Sequence, residues 1–316
     1  MYMNFTRRAA LLVLAVLPLG ALAAPLAFVP NEKSGTVSVI DTTQDAVTKT
    51  LQVSERPRGI AVAPDGSRLF LTDAPTRALI VVDLASGKPV ASWPLGESPE
   101  GLYISRDGQL LAAAVEEDNS VALLQSSDGK TLAHIKVEGE NPEHAVFSPD
   151  RKWLYVSAEN AEQVDVIDVA ARKQVGRIPV GKRPRGIGFL PDGSRAYVAC
   201  ELASTVYAID VANQKVLAAI PAGKFSNGIA ITPDGKRVFV SNGKDGTVMA
   251  IDTATNTVIG TVPVGKRPWN MAITPDGSKL YVANGRSDTV SVIDTDKLVA
   301  LKDVPVGSFP WGVVIK

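Results

Sequence analysis

The chain has 316 residues, with 33 basic and 33 acidic side chains, two histidines and one cysteine. This charge balance excludes the strong global field that draws proteins to nucleic acid or to anionic membranes. A single cysteine excludes an internal disulfide framework, so the fold has to be stabilised by a large apolar core.

The first 23 residues differ from the rest of the chain. Arg7 and Arg8 precede an apolar run over residues 9–22, which ends in the small-residue pattern Ala21-Leu22-Ala23. This order is typical of a signal peptide, and the apolar run is short for a bilayer span. We therefore predict residues 1–23 as a cleaved signal peptide and the remainder as a periplasmic or secreted protein, with the Sec and twin-arginine routes both open.

From residue 24 to residue 316 the sequence is repetitive. Short runs of Val, Ile, Tyr and Phe between Gly, Pro, Asn and Asp predict an all-β protein. A Pro-Asp-Gly turn, or a near copy, recurs every 42 or 43 residues, with its Asp at Asp65, Asp107, Asp150, Asp192, Asp234 and Asp276. A second column, Pro followed by a variable residue, contains Pro57, Pro99, Pro142, Pro184, Pro268 and Pro310, with Ser226 in the remaining copy. The chain therefore contains seven copies.

Each copy has the pattern of four strands, and four-stranded units repeated at this period are typical of propeller blades. We predict that residues 24–316 form one seven-bladed β-propeller. The segment 28–31 aligns with the second strand of other copies, and the segment 312–316 aligns with the first strand. The N- and C-terminal segments are therefore expected to close one shared blade.

The end of the second strand carries a recognisable motif. It reads Phe28-Val-Pro-Asn31, Phe239-Val-Ser-Asn242 and Tyr281-Val-Ala-Asn284 in three of the copies. Together with Thr-Val-Ser-Val-Ile-Asp at 36–41 and 289–294, it resembles the YVTN family of β-propeller repeats. Length, signal peptide and closing segment 306–313 resemble the subgroup associated with pyrroloquinoline quinone-dependent alcohol catabolism. That association is by pathway and implies no defined activity.

The position after the repeated Pro is expected to line the mouth of the central channel. Loops entering the first strand and loops between the second and third strands lie on one face of a propeller, where ligands commonly bind. Structural columns repeat, whereas this one varies in chemistry. Its members are Arg58, Glu100, Glu143, Arg185, Asn227, Trp269 and Trp311. We predict that these residues bind a ligand or a partner.

Several interpretations of this ring remain open. Trp269 and Trp311 fall on adjacent blades and would stack on a planar ligand, anchor a partner, or cap the channel. The acids Glu100 and Glu143 would pair with the two arginines of the ring in a solvated rim. Alternatively, those arginines would hold a carboxylated ligand such as a quinone cofactor.

His144 stands where most copies have Gly, beside Glu143. It is interpreted as an axial haem ligand, a general base, or a hydrogen-bonded rim residue. His134 falls in an outer strand and is expected on the surface. Cys200 is expected to be a buried, inert thiol.

A second layer of polar residues follows the second strand of each copy. Its members are Asn31, Glu32, Asp73, Glu116, Glu159, Glu201 and Asn284. These carboxylates have the chemistry to bind Ca²⁺, but they lack a dense ligand loop. We interpret them as solvated acids and predict no metal site.

No nucleophile elbow, His-rich zinc pattern or haem-attachment motif is present in the sequence. The sequence therefore favours a non-catalytic periplasmic binding or scaffold protein, accessory to quinone-dependent alcohol oxidation. It would bind a partner protein or small ligand at the channel mouth, act as a monomer, bind no nucleic acid and require no cofactor. The alternatives are a propeller that binds a quinone or haem-like cofactor, and a lactone hydrolase or lyase that uses Glu100, Glu143 or His144.

Overall fold

The computed structural model describes Met1 and residues 24–316. The predicted signal peptide lies outside these residues, apart from Met1. The regular elements of the described part are all β-strands, and they form seven four-stranded antiparallel sheets. The all-β, seven-bladed prediction is confirmed. No helix in residues 24–316 has the length and apolarity needed to cross a membrane.

The strands follow one another blade by blade. Blade 1 contains β1 (Leu26–Asn31), β2 (Thr36–Asp41), β3 (Ala46–Gln52) and the last strand, β28 (Val314–Ile315). Blade 2 contains β4 (Pro57–Val62), β5 (Arg68–Asp73), β6 (Ala78–Asp83) and β7 (Lys88–Pro94), and blade 3 contains β8 (Pro99–Ile104), β9 (Leu110–Val115), β10 (Ser120–Gln125) and β11 (Thr131–Lys136). Blade 4 contains β12 (Pro142–Phe147), β13 (Trp153–Ala158), β14 (Gln163–Asp168) and β15 (Lys173–Pro179).

The remaining blades repeat this order. Blade 5 contains β16 (Pro184–Phe189), β17 (Arg195–Cys200), β18 (Thr205–Asp210) and β19 (Lys215–Pro221). Blade 6 contains β20 (Ser226–Ile231), β21 (Arg237–Asn242), β22 (Thr247–Asp252) and β23 (Thr257–Pro263), and blade 7 contains β24 (Pro268–Ile273), β25 (Lys279–Asn284), β26 (Thr289–Asp294) and β27 (Val299–Pro305).

The core lies between the blades. Second strands such as β5 are buried almost throughout, whereas fourth strands such as β7 are largely exposed. The reason is that a neighbouring blade covers each face of the two middle strands, so both sets of alternating side chains are apolar. First strands of neighbouring blades contact one another and surround the central channel.

The two ends of the chain meet in blade 1, as predicted. Strand β28 pairs with β1 through Ala27 opposite Ile315 and Phe28 opposite Val314. A second contact fastens blade 7 to blade 1, since the Lys279 ammonium lies 2.8 Å from the Asp45 carboxylate. The ring is therefore closed by both backbone pairing and side chains.

An irregularity in the first strand places the variable column at the channel. In blade 2 the ladder shifts register between Pro57 and Ile60, and the same shift recurs in blades 3, 5, 6 and 7. A bulge of this kind releases the intervening residues from the ladder and redirects their side chains. The Pro-Asp-Gly turns join the first and second strands at the opposite end of the sheet.

Candidate functional site at the channel mouth

A column of glycines lets the first strands converge around the channel. A Cβ added to Gly59 would lie 2.3 Å from the carbonyl oxygen of Glu100, and one added to Gly186 would lie 2.4 Å from that of Asn227. No side chain fits at such distances, so these positions require glycine. The backbones of four variable residues, Glu100, Glu143, Asn227 and Trp269, are thereby held against the preceding blade.

Hydroxyl groups of the second strands fix the same backbone. The Thr72 hydroxyl accepts a hydrogen bond from the Gly59 N–H at 2.8 Å and donates one to the Glu100 carbonyl at 2.6 Å. Likewise, Ser157 donates to the carbonyl of Arg185 at 2.6 Å. These buried contacts position the rim residues from behind.

The structure brings all eight predicted site residues to one cavity of about 470 Å³. They are Arg58, Glu100, Glu143, His144, Arg185, Asn227, Trp269 and Trp311. The cavity is also lined by Glu32, Lys33, Arg56, Glu116, Glu159, Arg267, Asn270 and Phe309. Their shared location is a geometric fact, and their binding role stays a prediction.

The first group of charges at the mouth is centred on Arg58. Its guanidinium contacts the carboxylate of Glu100 and lies 3.1 Å from that of Glu32. Arg56 contacts Glu32 as well. The Ser98 hydroxyl donates a hydrogen bond to this side of the cavity, to Glu116 at 3.0 Å. Both arginines are therefore already compensated by carboxylates of the chain.

Arg185 organises the second group. It is 8% exposed and contacts three carboxylates, those of Glu143, Glu159 at 2.5 Å and Glu201 at 2.9 Å. One oxygen of Glu143, Oε2, is buried without a hydrogen-bond partner among the residues that the structure describes. Glu143, which lines the cavity, thus keeps one enclosed oxygen as an unused acceptor.

Glu201 lies beside this group and forms ion pairs with three guanidinium groups. Those of Arg183, Arg185 and Arg267 lie 3.2, 2.9 and 2.8 Å from its oxygens. Burial alone would raise the pKa of Glu201, but the charges and hydrogen bonds of Arg185 and Arg267 lower the pKa below its ordinary value. Glu201 is therefore a structural anion.

The expectation that the second layer consists of solvated acids is wrong. Glu32 and Glu201 are 6% and 2% exposed, because arginines of neighbouring loops cover them. Asn31 is fully buried and donates hydrogen bonds within its own blade, to Thr36 and Ser38 at 3.0 Å each. In residues 24–316, no group of three or more His, Cys, Asp or Glu side chains is arranged to hold a metal ion.

Glu100 is the carboxyl group of the cavity whose pKa is shifted to near neutral pH. It is 3% exposed. Burial raises the pKa of its carboxyl to about 7, against the opposing charge of Arg58 and with added repulsion from Glu116 and Glu32. A carboxyl with this pKa exchanges protons near neutral pH, which suits a general acid or base.

His144 lies at the floor of the cavity and is 2% exposed. Its Nδ1 is 2.7 Å from the Tyr103 hydroxyl, and its ring centroid is 6.0 Å from that of Trp311. Burial lowers the pKa of its imidazole to about 4. His144 is therefore neutral at physiological pH, and its Nδ1 is engaged by Tyr103. Its interpretations as a haem ligand or a general base stay predictions.

The aromatic residues line one side of the mouth. The ring centroids of Trp269 and Phe309 are 5.7 Å apart in an edge-to-face arrangement, and the Lys33 ammonium lies 3.9 Å from the centroid of Phe309. Trp311 packs near His144 instead. The two indoles therefore share the cavity but have different aromatic neighbours.

Sequence reasoning missed Lys33 and Asn270 of the cavity lining, and a group of four loop residues at or beside the cavity, Arg56, Arg183, Arg267 and Phe309. All four immediately precede the repeated Pro. The last three have φ values of 58°, 55° and 60°, a left-handed conformation that turns the loop at the entrance to the first strand. The signal was available, because this column varies in chemistry as the following one does.

The other two residues considered in the sequence lie away from the cavity lining. His134 is exposed in β11. Cys200 is fully buried at the end of β17, and burial raises the pKa of its thiol to about 12. A thiol with this pKa is an inert packing group.

Two family models match the chain, one in each half. Residues 169–304 match the family described as "Lactonase, 7-bladed beta-propeller", and residues 23–160 match the "SMP-30/Gluconolactonase/LRE-like region". Over 119 residues the chain is 30% identical to the 6-phosphogluconolactonase of Enterobacter sp. (strain 638). That match covers 35% of this chain and 36% of the relative, about a third of its length.

Solved structures show the same fold. A candidate 6-phosphogluconolactonase from Bacteroides fragilis is 20% identical, with a TM-score of 0.77 over 95% of this chain and 99% of that one. Hydrazine synthase from Kuenenia stuttgartiensis is 24% identical, with a TM-score of 0.77 over 85% of this chain and 92% of that one. At these identities the likeness concerns the fold alone.

These matches correct the functional expectation. The preference for a non-catalytic binding or scaffold protein is wrong, because the Lactonase family model and the curated 6-phosphogluconolactonase both match parts of the chain. The lean against an enzyme loses its support for the same reason. The narrower resemblance to the quinone-associated subgroup stays a prediction. The chain is a seven-bladed β-propeller whose two halves are similar to lactonase and gluconolactonase-like families.

Proposed function

We propose that the protein hydrolyses lactones in the cavity at the channel mouth. The observation that carries this proposal is the buried carboxyl of Glu100, whose pKa is raised to about 7 while Arg58 contacts it. A base poised near neutral pH and a neighbouring cation are the two groups that ester hydrolysis needs. The family matches to both halves of the chain support the same reaction class.

Each group has a defined part in the reaction. The Glu100 carboxylate takes a proton from water, and the oxygen of that water bonds to the lactone carbonyl carbon. Arg58 stabilises the negative charge that develops on the carbonyl oxygen. When the ring C–O bond breaks, the proton passes from Glu100 to the departing ring oxygen. The product is an open-chain hydroxy acid, and Glu100 returns to its carboxylate form.

The experiment is a hydrolysis assay with a panel of five- and six-membered lactones, read by proton release. Glu100→Gln should lower kcat by about 10²–10⁴-fold, because the amide is isosteric but takes up no proton. The exposed acid Glu117 lies in a loop of the same blade and outside the cavity lining, so Glu117→Gln is the matched control.

The pH profile gives an independent readout. Since the base is the carboxylate, kcat/KM should rise about tenfold per pH unit below pH 7 and level off above it. An absence of lactone opening above the buffer rate across the panel would refute the proposal. An unchanged kcat in Glu100→Gln would refute the assignment of the base.

We further propose that the reaction takes place outside the cytoplasm. This rests on the charged and apolar pattern of residues 1–23. Fractionation of expressing cells, with N-terminal sequencing of the processed chain, tests it. Full-length protein retained in the cytoplasm would contradict it.

A further inference from the structure

The arginines at the channel mouth are covered by carboxylates of the chain. Glu32 contacts both Arg56 and Arg58, and Glu201 contacts both Arg185 and Arg267. Lys33 is the only cation lining the cavity without a carboxylate within 4 Å, among the residues that the structure describes. It is exposed, so a single contact with its ammonium contributes little.

The charges of the cavity also balance in number. Five glutamates and five basic residues line it. A phosphate dianion is normally held by bidentate guanidinium contacts or by several uncompensated cations. Here it would have to displace Glu32 from its arginines, or add two negative charges beside carboxylates that are already buried. The first route leaves the buried carboxylate of Glu32 without its partners, and the second brings like charges together in a buried site, so both cost free energy.

The groups that remain available suit a different ligand. Glu143 lines the cavity, and its enclosed Oε2 has no hydrogen-bond partner among the residues that the structure describes, so a hydroxyl group brought against it would form a bond without breaking one. Trp269, Phe309 and Trp311 present ring surface along the same cavity. Ring faces and carboxylate acceptors together match the C–H faces and hydroxyl groups of a polyol ring.

We propose that the site takes an uncharged, polyhydroxylated lactone and rejects the same lactone bearing a phosphate. The inference rests on the proposed function for its reaction and on the coverage of the arginines for its selectivity. Glu32 is the specificity-determining residue, since it alone contacts Arg56 and it shares Arg58 with Glu100.

The test compares D-glucono-1,5-lactone with its 6-phosphate at pH 7.5. The neutral lactone should have the higher kcat/KM by about tenfold or more. Glu32→Gln leaves Arg56 without a carboxylate and should narrow that ratio by about threefold or more through faster turnover of the phosphate. Glu117→Gln removes an exposed charge of the same rim without uncovering an arginine, so it should leave the ratio unchanged.

A binding measurement separates this inference from the proposed reaction. Tryptophan fluorescence is titrated with D-gluconolactam and its 6-phosphate, in which an amide replaces the ester. Preferential binding of the neutral lactam with no hydrolysis of either lactone would contradict the proposed reaction but support the selectivity for the neutral ligand. Equal affinity, preference for the phosphate, or no binding of either lactam overturns the selectivity. The wild-type comparison decides the matter even where Glu32→Gln does not fold.

Discussion

His144 shows how much the environment of one residue differs from its appearance in the sequence. It occupies a position that most blades give to glycine, yet the structure buries it under the cavity with Tyr103 as its polar neighbour. Burial lowers the pKa of the imidazole from 6.5 to about 4. As the pH falls, the unfolded chain therefore binds a proton at this residue at a higher pH than the folded chain does.

The sign of the pH dependence follows from that difference. Above pH 6.5 the His144 imidazole is neutral in both the folded and the unfolded chain, so it does not change the free energy of unfolding with pH. As the pH falls from 6.5 toward 4, the unfolded chain binds the proton more readily and the folded state loses stability. The loss at pH 4 amounts to about 3 kcal/mol. His144→Asn places in blade 4 the residue that blade 7 has at this position, Asn270. It should lower stability at pH 7 through the lost Tyr103 contact, and it should reduce the loss of stability between pH 6.5 and pH 4.

Urea unfolding between pH 4 and pH 7.5 measures both effects. His134→Asn is the matched control, because His134 is exposed on an outer strand. If the free energy of unfolding falls equally between pH 7.5 and pH 4 in His144→Asn and in the wild type, the imidazole is not held neutral by burial.

At the same scale, the sequence identified the members of the site better than their interactions. Every residue of the variable column reaches the cavity, because the repeat fixes its place on the first strand. The ion pairs could not be derived in the same way. Arg267 and Glu201 are 66 residues apart, and only the curvature of the ring determines which loops meet. Burial of the carboxylates depends on those pairs, so the expectation of solvated acids was wrong.

Among the elements, the first strand of each blade is the most constrained. Its glycine column allows neighbouring first strands to touch, and its bulge turns the following side chains toward the channel. The close approach explains why the residue after the variable one is glycine in five of the seven copies, with His144 and Asn270 in the other two. The repeat revealed the columns, whereas the close approach that requires glycine becomes visible only in three dimensions.

Gly59→Ala tests this close approach. The new Cβ would lie 2.3 Å from the Glu100 carbonyl oxygen and 2.6 Å from the Leu102 nitrogen, both backbone atoms. The strands have to separate, and overpacking of this kind costs about 1–3 kcal/mol. Because the carbonyl that moves belongs to Glu100, kcat should fall as well.

Gly176→Ala is the matched control on the outer strand β15. Its new Cβ would meet the end of the Gln214 side chain at 3.1 Å, which can move, and would make an ordinary van der Waals contact with Val166 Cβ at 3.9 Å. Denaturant unfolding should therefore show a clear loss for Gly59→Ala and little change for Gly176→Ala. Equal stabilities of the two variants would mean that the first strands are less closely packed than the structure has them.

For the molecule as a whole, closure of the ring is the feature that the sequence predicted most completely. The phase of the repeat placed a second strand at the beginning of the propeller and a first strand at its end, and β28 pairs with β1 accordingly. The side chains that reinforce the seam, Lys279 with Asp45, were not predicted. They connect the beginning of β25 to the turn between β2 and β3, and the proximity of these two segments depends on the number of blades.

Deletion of residues 309–316 tests the contribution of this closure to stability. It removes β28 and the paired hydrogen bonds between Leu26 and Lys316, of 2.6 and 2.9 Å. Strand β1 then becomes a free edge, and blades 2 and 7 lose the strand that lies between their first strands. The melting temperature should fall by about 5 °C or more. Trp311→Ala keeps the strand and removes only the indole, so it should lower the melting temperature much less while still weakening ligand binding. A truncated protein that melts at the same temperature as the wild type would show that six complete blades and the three remaining strands of blade 1 hold the ring without its closing strand.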